Sequence, residues 1–249
     1  ESGKRILDRA ALDKLKARFL TVFPSFDQSG GFAGRSPYHE QEDDYKRALI
    51  RATLGALDKH SDDQKASGGR LLDLLSNESE LESNLLGWRM AAHLKKCRTA
   101  HPGVLEAAAG EMVLASNPKD GVIDFVEASW PILSASQSSK PYSDSRTIPT
   151  LLAALVKSER IIGLRTDRFR NLFEALFDEK VFDWAPLSRT ELDRTTDLSE
   201  QLFNIMRDDW GWQPRDLWDV QGFIWVTCAK KLNDEADKLT DQDLLEKFH

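Results

Sequence analysis

Residues 211–228 read GWQPRDLWDVQGFIWVTC, the densest apolar and aromatic run in the chain. Pro214 suits the first turn of a helix, where no amide donor is needed. Asp216 then falls in that first turn, where a carboxylate favours the open amides. Leu217, Val220, Ile224 and Cys228 recur at steps of three, four and four. Trp218 and Trp225 form a second stripe, and Phe223 and Val226 partly fill the space between. A helix apolar around most of its girth belongs at the centre of a domain. Gly222 lowers helix propensity and is read as a point of close approach by another backbone, with a bend as the competing reading. The polar exceptions carry the interest. Asp216 and Asp219 are three apart and share one side, as a cap and an ion-pairing group or as a partner contact. A metal or acid/base pair there needs further ligands, and none is marked nearby. Asp219, set between Trp218 and Val220, needs a partner if it is buried. Gln221 and Trp225 complete the candidate structural or partner-contact set.

Working outward, helical periodicity recurs along most of the chain. Residues 5–23 form an amphipathic pattern that stops at Pro24, followed by a Gly/Ser-rich connection. A helix from Pro37 or Tyr38 to about Leu57 opens on the acidic HEQEDD, which suits a helix N-terminus. KHSDDQKASGG reads as a loop or linker, and Leu71, Leu72, Leu74 and Leu75 open the next helix. Further helices run from about Ser79 to Lys96, through HPGVLEAAAGEMVLA, through IPTLLAALVKS, through RTDRFRNLFEALF and from Ser199 to about Asp209. Residues 122–133 fit a short helix or a strand, and ERIIGL fits a very short strand. The fold class expected is mainly α, a compact multi-helix domain with room for a small β element. Residues 1–249 read as one helical domain, and the serine-rich stretch 134–146 is where two lobes would divide.

The composition is that of an ordinary soluble protein, with 41% hydrophobic and 30% charged residues. No apolar run approaches the roughly 20 residues that span a bilayer, so no membrane partner is expected. ESGKRILDRAALDK lacks the apolar segment of a signal peptide. Two cysteines, Cys97 and Cys228, are too few for a disulfide scaffold and point to a reducing cytoplasm. A net charge of -7 leaves room for phosphate binding only through a local basic patch. Two clusters qualify: Arg160, Arg165, Arg168 and Arg170 in and around one helix, and Lys95 and Lys96 beside Arg98 in another. Arg165 and Arg168, three apart, fit one helical face. Against a partner contact stands the plain reading of a solvated helix face. The seven tryptophans read first as core packing; exposed ones would stack on bases or contact a partner.

The string Pro214-Arg215-Asp216-Leu217-Trp218-Asp219-Val220-Gln221-Gly222-Phe223-Ile224-Trp225-Val226 resembles a segment near the end of N-terminal regions in some AAA-family ATPases. These include ATPases related to the McrB-type GTPase subunit of McrBC-type, modification-dependent restriction systems. The core of the likeness is Asp219, Val220, Gln221, Phe223 and Trp225. The resemblance implies a recognition or docking domain placed before a nucleotide-driven motor, with DNA or a partner subunit as the candidate partner. The chain departs from the full family pattern because it holds no G-x-x-x-x-G-K-[ST] loop, so nucleotide hydrolysis would belong to an ATPase domain downstream of His249 or on another chain.

Other chemistry is weakly marked, and no cofactor is expected. His93, Cys97 and His101 share a helical spacing, but Pro102 breaks the helix at the third, and neither a fourth ligand nor an activating carboxylate is indicated. Asp120, Asp124 and Glu127 could be imagined as a nuclease cluster, yet no lysine follows on a clear strand. No catalytic or metal-binding residue is assigned. Three functions remain open: a non-catalytic recognition or docking domain of a restriction or defence ATPase, a generic helical protein–protein interaction domain, and an enzyme or nuclease with dispersed carboxylates.

Overall fold

The first helix begins where a carboxylate meets it. In the computed structural model, which describes residues 6–59, 63–76, 85–135, 144–182 and 185–231, Asp8 Oδ1 accepts from the amides of Ala10 and Ala11 at the start of α1 (Arg9–Val22). Nine more α-helices follow among the described residues: α2 (Asp44–Lys59), α3 (Gln64–Leu75), α4 (Trp88–Ala100), α5 (Val104–Leu114), α6 (Pro118–Ala135), α7 (Thr147–Val156), α8 (Thr166–Phe177), α9 (Arg189–Asn204) and α10 (Leu217–Thr227). Among the described residues there is no strand, so the mainly α fold class holds and a small β element is not found. Two π-helical turns, His39–Asp43 and Ile205–Asp209, run into α2 and out of α9. Among the described residues, no helix is long and apolar enough to cross a membrane.

Several boundaries differ from the sequence reading, each for a local reason. The supposed linker at 59–69 turns helical at Gln64, because Asp63 caps α3 through the amide of Ala66. Its glycine then serves packing: a Cβ on Gly68 would lie 1.9 Å from the carbonyl oxygen of Glu106, so α3 and α5 meet backbone to backbone. Residues 122–133 are helical, inside α6, even though Pro131 removes one intrahelical donor. ERIIGL forms no strand. Ile161, Ile162 and Leu164 are buried in an irregular connection, and Thr150 Oγ1 accepts from the Leu164 amide at 2.8 Å. Helix α9 starts at Arg189 rather than Ser199, capped by Ser188. Its polar stretch is buried at Thr195, Thr196 and Ser199, whose hydroxyls bond back to carbonyls one turn earlier, as Ser199 Oγ does to Thr195 O at 2.7 Å. Helix α10 starts at Leu217, with Pro214 outside it, since Asp216 is extended (φ -162°, ψ -172°) and caps the helix through the Trp218 amide. The expected helix start at Ser79, the middle of 134–146 and Trp184 lie outside the described residues.

The core is aromatic where α1 meets α10. The Phe19 ring lies 4.9 to 5.5 Å from those of Phe23, Phe26, Tyr38, Trp212 and Phe223. Trp212 and Trp218 are wholly enclosed. The Trp218 indole N–H donates to Ala154 O at 2.9 Å, which satisfies its polar end in the interior. Trp130, Trp210 and Trp225 are half-buried, whereas Trp88 is 75% exposed.

Candidate functional site

Two groups of charged side chains gather around α10. The first is internal. Asp216 is the N-cap, its carboxylate accepting from the Trp218 amide at 3.0 Å. Asp219, in the first turn, is 0% exposed. Its Oδ1 accepts from Arg47 Nη2 and Arg215 Nη2, both at 2.7 Å, and its Oδ2 from the Arg215 amide at 2.7 Å and Nε at 3.0 Å. Arg47 also forks onto Asp216 at 2.5 and 3.0 Å and reaches Asp43 at 2.9 Å. Arg215 closes the ring on Asp43 at 2.8 Å. Burial works against both guanidiniums, but the carboxylates outweigh it and raise Arg47 and Arg215 above the ordinary arginine value. One layer further in, Lys46 Nζ donates to Gln221 Oε1 at 3.1 Å and lies 3.4 Å from Glu42. Burial pulls the Lys46 ammonium below the ordinary lysine range, with Glu42 opposing.

Every carboxylate of the ring is engaged by guanidinium donors, which leaves no open coordination position. The arrangement can fasten α10 to α2 and the π-helical turn before it; it offers no free base or nucleophile. Asp43, Arg47, Glu42 and Lys46 were missed in the sequence. Their signal was there as two overlapping acid–base pairs at i, i+4, Glu42 with Lys46 and Asp43 with Arg47. The acidic run HEQEDD, read as a favourable helix start, supplies these buried partners instead.

The second group is half-buried. Arg165, the residue before α8, and Arg168 in its first turn come together on Trp225, with guanidinium carbons 5.0 and 4.5 Å from the ring centroid. Arg165 also donates to Leu85 O at 2.8 Å. Among the described residues Arg168 pairs with Asp167, at 3.7 Å, and its buried Nε has no hydrogen-bond partner there. Burial lowers Arg168 from the ordinary arginine value; Asp167 opposes this and Arg165 adds to it. Arg160, in the turn after α7, and Arg170, on α8, are exposed, as are Lys95 and Lys96 on α4. So α10 presents a closed polar clamp at its start and a cation–aromatic face near its end.

Comparison with protein-family models, with curated proteins and with solved structures finds no match.

The remaining candidate clusters separate in space or are used internally. His93 Nε2 bonds Leu133 O at 2.8 Å and lies 3.6 Å from Cys97 Sγ, while His101 ends α4 and is exposed. Asp120 pairs with Arg189, and Asp124 and Glu127 point to solvent from α6.

Proposed function

We propose that the chain is a non-catalytic recognition or docking domain of a nucleotide-driven restriction or defence ATPase, and that its binding face contacts DNA phosphates through Arg165 and Arg168. The observation that carries this reading is the pair of guanidiniums on one half-buried indole, with Asp167, at 3.7 Å, the ion-pair partner of Arg168. A planar, preorganised guanidinium is suited to phosphate oxygens. The resemblance of residues 214–226 supports the motor-associated part. The clamp at Asp216 and Asp219 has a structural part in this reading, since its groups are spent on holding α10. The motor itself requires a phosphate-loop domain elsewhere, in the same polypeptide or on a partner.

The test is a titration with methylated and unmethylated duplex DNA from about 50 to about 200 mM salt, where the affinity of a phosphate-binding protein falls steeply. Each of Arg165→Ala and Arg168→Ala should weaken binding and lower the salt slope by about one. No association of the folded wild-type protein at low salt would rule out direct DNA recognition.

A further inference from the structure

A cavity of about 320 Å³ opens where the turn after α7, the end of α9 and the approach to α10 meet. That volume suits a single side chain or a small ligand. Its walls are held together, because the Leu217 amide donates to Ser158 O at 3.1 Å. The lining is charged unevenly. Glu159, Glu200 and Asp216 stand against one cation, Arg215, a formal balance of three negative charges to one positive. Asp216 and Arg215 are already spent in the clamp, on Arg47 and on Asp43 and Asp219. Glu159 and Glu200 form no ion pair among the described residues.

Phe203 and Leu217 supply the apolar part of the wall. The Phe203 ring already accepts a cation, with Arg207 5.7 Å from its centroid. Asp208 at 2.7 Å matches the Arg207 charge, so Arg207 does not offset the two glutamates. An anion is disfavoured here, because the nearest guanidinium is engaged at Nε and Nη2 and the remaining charge is negative. A metal is disfavoured too, since no group of three His, Cys, Asp or Glu among the described residues could hold one.

We propose that this cavity receives the cationic end of a lysine or arginine side chain from a partner protein, with the alkyl stem along Phe203 and Leu217 and the charge between Glu159 and Glu200. Two unpaired carboxylates beside an aromatic face and an apolar wall match a guanidinium or ammonium on a carbon chain. The assignment is independent of DNA binding at Arg165 and Arg168.

Protein-observed NMR with capped arginine, capped citrulline and putrescine tests it. Capped arginine should shift the amides of Phe203 and Leu217 saturably, with a dissociation constant on the order of 1 mM. Citrulline, the neutral isostere, should do so at least about tenfold more weakly, as should arginine with Glu159→Gln/Glu200→Gln. Both glutamates are exposed, so that variant keeps its fold, checked by circular dichroism. Arg168→Ala should leave arginine binding unchanged, which separates this site from the DNA face. Equal binding of citrulline, equal binding by the double variant, or no saturable shift with arginine overturns the proposal. Binding of putrescine without capped arginine overturns the peptide side chain as occupant.

Discussion

At the scale of single residues, Asp219 is the most constrained group in the protein. It has no solvent contact and accepts four hydrogen bonds from two arginines and one amide. Removing one member of a buried ionic group leaves the others unpaired at a loss of about 3–5 kcal/mol. Asp219→Ala should therefore lower the urea-unfolding free energy by that order, and Arg215→Ala by clearly less, since Arg47 still serves Asp219 and Arg215 is 39% exposed. Cys228 gives a prediction of a different kind. Burial pushes its thiol from 9.0 up to about 11, against the opposing bond from Thr227. A thiol held neutral in the fold adds stability that is present below the unfolded pKa and is lost as pH rises toward the folded one. The stability of the wild type relative to Cys228→Ala should fall by about 2 kcal/mol between about pH 8 and about pH 11. Urea midpoints across that range measure it, and the raised Tyr38 and Tyr45 hydroxyls cancel between the two proteins. Asp216 as a cap and Asp219 as a group in need of a partner were legible, because a carboxylate on an apolar helix raises the question of its counter-charge. Arg47 as that counter-charge was not, since it stands 172 residues away in the chain.

At the scale of an element, α10 shows what periodicity conveys and what it leaves out. The stripe Leu217, Val220, Ile224 and Cys228 is buried as its spacing requires. Gly222 does mark a close approach, though by a side chain rather than a backbone: a Cβ there would lie 2.0 Å from the Tyr38 hydroxyl oxygen. That hydroxyl is buried without a hydrogen-bond partner. Two opposite effects follow. Gly222→Ala gains up to about 1 kcal/mol of helix propensity but overpacks the contact, an effect of about 1–3 kcal/mol, so the variant should be less stable. Tyr38→Phe removes an unsatisfied polar group and should be neutral or stabilising by about 1 kcal/mol. The double variant should recover most of the Gly222→Ala loss, and additive effects in thermal melts would contradict this coupling. Helix α9 is the converse case. Its polar run hid a helix because Thr195, Thr196 and Ser199 look like loop residues, while in place their hydroxyls bond to their own backbone and their remaining surface packs.

At the scale of the molecule, the connectivity bears on whether the chain unfolds as one unit. The stretch 134–146 divides the sequence by composition, but the contacts run across it. Helix α1 packs on α8 and α10, α2 on α7, and α6 on both α7 and α9. Arg18 of α1 ties down the segment that ends α10, donating to Thr227 O at 2.8 Å and Lys230 O at 3.2 Å. Phe19, buried against five aromatic rings, joins α1 to α10 and the segment before it through the core. Truncating it should remove about 3–5 kcal/mol, a large share of a domain stability of about 5–15 kcal/mol. A single cooperative unit transmits that loss everywhere. In Phe19→Ala, far-UV circular dichroism, which follows the helices as a whole, and tryptophan fluorescence should shift to the same lower denaturant midpoint with an unchanged slope. Two lobes dividing at 134–146 would instead keep part of the helical signal at the wild-type midpoint while the fluorescence of Trp210 and Trp212, beside Phe19 and Phe223, moved alone. Coincidence of the two probes therefore decides between one unit and two, because the ring cluster that Phe19 completes lies at the junction of α1 and α10.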